Sequence, residues 1–466
     1  MWRFDLTNFD TVWKLLLQLA LILGFLLIGN IIRRKVPFLR KAFIPSALIG
    51  GLLLFGVNIL VSLTGFDLVD KRIMQIITYH ALAVGFIASS LKIMNKDHQI
   101  PIIKTIQNGA ITGGTYLLQA ILGMTVSIIF FYATSQTFFF DAGILLPLGF
   151  GQGPGNALTW DINFSEMTSN TFDGNGSVGL SIASIGFLVA SIIGVIYMNI
   201  FGAKGEIKHR EEIVDRQVTD FESENEIKDS DSIDKFTIQI ALVAVALLIS
   251  FLIMFFFAKL TDWTGVELFN SVAWGFNFIW GVIAANLIKL VIKGLEKTKL
   301  MKHRYINNYQ MDRISGFAFD LMIISGVAAI NIETVGNYIW FILILAVVGT
   351  ISTVIYVRLM TKICFKDYAH EAFLINFGTL TGTASNGMIL LKEVDPNNET
   401  PMVSVFIISQ LPAMIFVAPL LLLLQTSAST IIMCFVTMGI FFVLFLLYTT
   451  FLILSSKGII FNKNKK

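Results

Sequence analysis

The sequence predicts an all-α polytopic membrane protein made of two inverted-topology repeats, each of five helices plus a re-entrant hairpin, with one extra carboxyl-terminal helix. Three observations point there. First, of 466 residues 55% are hydrophobic and 14% charged, with mean hydropathy +0.75, a composition outside the range of soluble domains. Second, apolar runs long enough to cross roughly 30 Å of hydrocarbon recur along the chain. Third, Phe150-Gly151-Gln152-Gly153-Pro154-Gly155-Asn156-Ala157 and Phe377-Gly378-Thr379-Leu380-Thr381-Gly382-Thr383-Ala384, far apart in sequence, share Phe, Gly, Gly and Ala when aligned without a gap. Such breaks persist at membrane depth only where protein or a water-filled cavity satisfies the backbone, so a pair of them points to a transport site.

The first repeat occupies 1–201, with spans at 11–30, 43–64, 73–91, 105–133 and 176–201 and a glycine-interrupted hairpin at 142–160. The acidic stretch 202–235 reads as a solvated cytoplasmic linker. The second repeat, 236–425, offers spans at 236–258, 267–290, 313–331, 336–361 and 400–424, with its hairpin at 368–391. Residues 426–466 hold the extra helix, 430–455, and a basic tail.

Orientation follows from Lys and Arg. With the first loop inside and the spans alternating, all of the 34 cations except Arg3, Lys14, Lys71, Arg72 and Lys259 fall on the cytoplasmic side. The amino terminus is then outside and the carboxyl terminus cytoplasmic. The cluster Arg33, Arg34, Lys35, Arg40 and Lys41 follows the first apolar run, the reverse of the charge order in a cleaved signal peptide. The first hairpin dips in from outside and the second from the cytoplasm, the arrangement that alternating access requires.

Several function classes fall away. The formal charge of +3 is too small and dispersed for nucleic acid, and Cys364 and Cys434 have no neighbours at metal-ligand spacing, so neither a transition metal nor an organic cofactor is expected. The chain contains no GxSxG, HExxH, phosphate-binding glycine loop or TVGYG filter.

What remains is the interrupted segments. As a continuous helix the first is poorer by roughly 7 kcal/mol or more, since each interior Gly costs about 1 kcal/mol and a Pro about 3. An unwound turn presents N–H groups and the positive end of the following half-helix, suited to a carboxylate. Gln152, Gly153, Gly155, Asn156 and Thr159 in the first hairpin, with Gly378, Thr379, Gly382 and Asn386 in the second, are the candidate substrate residues. Thr381, Thr383 and Ser385 carry oxygens suited to a hard, weakly held cation such as sodium. Asp320 joins them as the one carboxylate deep in an apolar helix, where an unpartnered charge costs about 2.5–3.5 kcal/mol. His80 and Gln410 are secondary candidates.

Phe43-Ile44-Pro45-Ser46-Ala47-Leu48-Ile49-Gly50-Gly51, Gly151 through Ala157, and the second hairpin through Asn386-Gly387 resemble, in this order and in opposed repeats, the bacterial sodium/glutamate symporter family. The resemblance covers roughly 11–425. It implies sodium-coupled uptake of glutamate or a related carboxylate across the bacterial inner membrane, a homodimer, and a transport domain that carries the hairpins against a scaffold. A proton-coupled carrier, a carrier of another organic anion, a channel and a membrane receptor are the competing readings.

Overall fold

The structure, a computed structural model, describes residues 13–93, 101–168, 172–204, 235–265, 268–298, 305–395 and 399–458. The helices are α1 (Lys14–Lys35), α2 (Pro37–Lys41), α3 (Ser46–Ser62), α4 (Lys71–Leu91), α5 (Ile102–Ala133), α6 (Leu145–Gln152), α7 (Pro154–Met167), α8 (Ser177–Ala203) and α9 (Lys235–Thr264). They continue with α10 (Leu268–Gly275), α11 (Asn277–Lys297), α12 (Asn308–Ala328), α13 (Ile332–Cys364), α14 (Ala369–Thr381), α15 (Ala384–Val394), α16 (Met402–Ser427) and α17 (Ile431–Ser456). Among the described residues there is no strand, and nine helices are long and apolar enough to cross a membrane. The all-α polytopic class therefore stands, and the exposed apolar faces of helices such as α1 and α9 are those of a protein solvated by lipid.

Several boundaries differ from the sequence reading. The span at 267–290 is broken at Phe276 into α10 and α11, and the Asn277 side chain beside the break donates to Tyr79 O at 2.9 Å. The hairpins are longer than 142–160 and 368–391, reaching Met167 and Val394, because each return helix runs on past its glycine-rich segment. Most of the acidic linker, 205–234, lies outside the described residues.

The chain forms two compact units, each drawing on both halves of the sequence. One takes its described residues from Gln75–Lys96 and Glu211–Ser325. Its core joins Ile87, Ala88 and Leu91 of α4 to Val243 and Ala246 of α9 and to Ala284, Ala285 and Ile288 of α11. Gly85 lies against the Phe319 ring and Thr78 Oγ1 bonds Ser325 Oγ at 2.9 Å, so α12 is packed along α4.

The other unit, from Met1–Met74, Asp97–Arg210 and Gly326–Lys466, contains both interrupted segments. Its axis is α5. Lys104 donates to Cys364 O, Gly114 meets the Tyr356 hydroxyl, Gln119 donates to Thr353 Oγ1 at 2.8 Å, and Phe130 lies edge-on to Phe341 at 5.4 Å. Partners that ascend on one helix while descending on the other fix α5 and α13 as antiparallel along their length. The α5–α16 crossing runs through Gly109 and Gly113, whose missing side chains admit Pro412, Ala413 and Phe416.

Candidate functional site

Each interrupted segment is a helix, a break and a returning helix. The first starts at the carboxyl-terminal end of α5, where Ser127 Oγ donates to Phe140 O at 2.7 Å and Gly143 abuts Gly123. α6 then runs back along α5 until Tyr116 OH donates to Gly151 O at 2.5 Å. The chain breaks at Gly153, whose φ of 82° and ψ of −177° suit only glycine, and Pro154 opens α7 where no N–H is needed. α7 returns until Phe164 meets Phe139 at 5.5 Å, which closes the hairpin.

The second segment begins at the other end of the same axis. Asn376 Nδ2 of α14 donates to Asn108 Oδ1 at 2.8 Å, and Gln119 Nε2 donates to Leu380 O at 3.1 Å one turn further along α14. The break spans Gly382 and extended Thr383. α15 folds back against α14 through Gly378 and Gly387, where a Cβ on Gly378 would stand 2.8 Å from Gly387 Cα.

The two tips therefore reach the middle of α5 from opposite ends, and one turn of that helix, Tyr116 to Gln119, hydrogen-bonds a carbonyl of each. α8 touches both as well. A Cβ on its Gly186 would lie 2.3 Å from Thr381 O and 3.1 Å from a Phe150 ring carbon.

At this meeting point two helix N-termini, those of α7 and α15, have no side-chain cap. Their first N–H groups, apart from the one proline lacks, are available to a ligand. Aligning the hairpins on the helix restarts pairs Gly153 with Thr383 and Asn156 with Asn386. That register is offset by three residues from the gapless Phe-Gly match, because the second hairpin carries its break further past the shared Phe-Gly.

The paired asparagines are both buried, 1% and 5% exposed, and both incompletely bonded. Asn156 Nδ2 donates to Gln152 Oε1 at 2.7 Å while its Oδ1 has no partner, and Asn386 Nδ2 has none either. Gln119 Oε1 is a further buried acceptor without a donor. Unmatched polar atoms at this depth are costly unless something binds there.

The remaining predicted residues separate into groups. Gly155 and Thr159 lie on α7, and the hydroxyls of Thr159, Thr379 and Thr381 each donate to the carbonyl four residues earlier, at 2.9, 2.7 and 2.7 Å. Their protons are committed to the helix, and their oxygens keep lone pairs for a cation. Thr383 is buried and faces Asn386 Oδ1 at 3.5 Å, while Ser385 is exposed. Gln410 is exposed and back-bonds Phe406 O at 3.1 Å. Asp320, half-buried on α12, and His80, exposed on α4 with its ring edge-on to Tyr79, belong to the other unit.

Asp320 is not the sole deep carboxylate. Asp141 and Asp161 are fully buried. Asp141 accepts from Ser427 Oγ at 2.6 Å, and Asp161 Oδ2 accepts from Gly179 N at 2.7 Å, placing a carboxyl acceptor at the amino terminus of α8. Both serve the fold around the first hairpin: one ties its start to the end of α16, the other ties its return helix to α8.

Tyr116 and Gln119 were not picked out by the sequence reading. Their signal was there: Asn108, Thr112, Thr115, Tyr116 and Gln119 recur at helical spacing inside an otherwise apolar span, and all but Thr112 are buried. Fold and site define a polytopic membrane protein with two opposed helix breaks at one polar centre. Compared with known proteins, the chain matches no family model and no curated relative.

Proposed function

We propose that this protein is a secondary carrier that imports glutamate or a related small carboxylate, coupled to sodium, by alternating access. The observation that carries the reading is that two uncapped helix N-termini, on hairpins that start from opposite ends of α5, lie beside buried side chains with unmatched polar atoms, Asn156 in the first hairpin and Asn386 in the second, with Gln119 on the turn of α5 that the second hairpin reaches. A carboxylate takes the N–H groups of the two helix starts and the Asn386 amide N–H, because the positive helix ends and fixed donors replace its water at no reorganisation cost. Sodium takes oxygens, and the candidates beside the two breaks are Asn156 Oδ1, Gln119 Oε1 and the Thr381 hydroxyl.

On this reading the halves are inverted repeats. Element lengths support it: α5 and α13, which lead into the hairpins, have 32 and 33 residues, and α8 and α16, which follow them, have 27 and 26. The likeness to sodium/glutamate symporters extends the proposal to a homodimer in a bacterial inner membrane, and the Lys and Arg distribution to an external amino terminus.

Purified protein in liposomes tests it. Labelled glutamate, or another member of a carboxylate panel, accumulates under an inward sodium gradient and not under potassium. No accumulation of any member of the panel overturns the proposal, and accumulation driven by a proton gradient without sodium replaces the coupling ion.

A further inference from the structure

Away from the hairpin tips, at the end of α5 where the second hairpin starts, α8 and α13 bring cations together with no carboxylate from the described residues paired to Arg358. The Arg358 guanidinium of α13 stacks over Tyr197 at 5.5 Å and Phe201 at 5.1 Å, and Lys204 Nζ, just past the end of α8, lies 5.0 Å from the centre of the same Phe201 ring. Two positive groups on one ring are at most about 10 Å apart. Among the described residues no carboxylate pairs with Arg358, and its Nη1 is buried without a hydrogen-bond partner. Tyr197 OH and His370 Nδ1, which share a 3.0 Å hydrogen bond, border the cluster. Cation–π stacking orients a guanidinium but leaves its in-plane N–H groups to find an acceptor, and a partly buried one without an anion is costly.

The surroundings indicate which anion. Both cations lie near the carboxyl-terminal ends of helices long and apolar enough to span a membrane, and basic residues at such ends commonly meet headgroups. One residue round each helix is an apolar stripe: Ile192, Ile196 and Ile200 on α8, and Ile351, Ile355 and Leu359 on α13, each between 43% and 55% exposed. A free anion would use the cations and ignore the stripes. A phospholipid uses both, with its phosphate on the charges and its acyl chains along the isoleucines.

We propose that Arg358 and Lys204, which share the Phe201 ring, bind the phosphate of an anionic phospholipid whose chains lie along these two stripes. This goes beyond the carrier reading and does not depend on it. Binding of short-chain phosphatidylglycerol, of phosphatidylcholine and of inorganic phosphate to the full chain in neutral detergent is measured by native mass spectrometry. Phosphatidylglycerol binds about tenfold or more tightly than phosphatidylcholine, and Arg358→Gln and Lys204→Gln each weaken it roughly five-fold, as expected for one basic residue near a headgroup. Phosphatidylcholine binding is unchanged in both variants. Equal affinity for the two lipids, or a preference that survives both substitutions, overturns the proposal. Inorganic phosphate displacing phosphatidylglycerol at equal concentration also overturns it, because the chains would then contribute nothing. Lys204 is exposed, so Lys204→Gln alone decides the matter if Arg358→Gln does not fold.

Discussion

Gly186 is the position where the convergence of the two hairpins on α8 can be tested with a single methyl group. A Cβ at this residue would stand 2.3 Å from Thr381 O, against a lower limit of 3.0 Å for real contacts, so α8 and the second tip must separate by roughly 0.7 Å. The obstacle is a backbone carbonyl at the end of α14, which cannot swing aside as a side chain would, and Phe150 closes the other direction at 3.1 Å. Overpacking of this kind costs about 1–3 kcal/mol. If about 2 kcal/mol falls on the state in which both tips meet α8, that state is depopulated about thirtyfold. Sodium-driven uptake into liposomes by Gly186→Ala is therefore expected to fall more than tenfold, with the protein still monodisperse and its helix content unchanged. Gly56→Ala and Gly439→Ala, where an added Cβ meets nothing within 4 Å, provide the controls and retain full uptake. A Gly186→Ala rate within twofold of the parent would refute the claim that the tips close on α8.

Tyr116→Phe removes the donor to Gly151 O and leaves that carbonyl unmet, so a loss of about 1–3 kcal/mol is expected as a lowered thermal unfolding midpoint. Thr381→Val keeps the shape but deletes one oxygen beside the second break; the sodium concentration for half-maximal uptake rises about tenfold, or about 1.4 kcal/mol, with little change at saturating sodium. Asp70, outside the spans and 2.5 Å from Lys14, supplies a pH test. Burial pushes its carboxyl up, but the hydrogen bonds from Lys14 and from the Ile73 N–H outweigh that and hold it below the ordinary 3.8. A depressed pKa adds stability above the unfolded-state value that is lost as pH falls through the folded one. Asp70→Asn therefore unfolds slightly more easily than the parent near neutral pH, by less than about 1 kcal/mol for so exposed a pair, and the difference disappears well below pH 3.8.

Much of this was written in the chain itself. The glycines and prolines around 147–157 made an unwound turn legible in the first hairpin, while its place at Gly153, with Pro154 opening the return helix, came from the structure. The long apolar runs fixed the helical class for a similar reason, since lipid leaves the backbone no other way to bond itself. Asn156 and Asn386 could be chosen as polar residues beside breaks, yet their equivalence as third residues of the return helices could not, because the Phe-Gly match suggested a register three residues away. Local sequence also misplaced the deep carboxylates. The chain singles out Asp320 as the one deep carboxylate, yet Asp141 and Asp161, just outside 142–160, are fully buried and bonded to Ser427 and Gly179, 286 and 18 residues away.

By itself, then, the sequence determined what depends on neighbours along the chain: helices of membrane length, the glycine breaks, the cation bias, and the polar residues lying beside each break. Only the tertiary structure decided that α5 and α13 pack against each other along their length, that one turn of α5 holds a carbonyl from each hairpin, and that Gly186 leaves room for both. Those facts arise from packing between segments 35 to 261 residues apart, where the missing side chain of one glycine and the reach of one tyrosine set which surfaces meet.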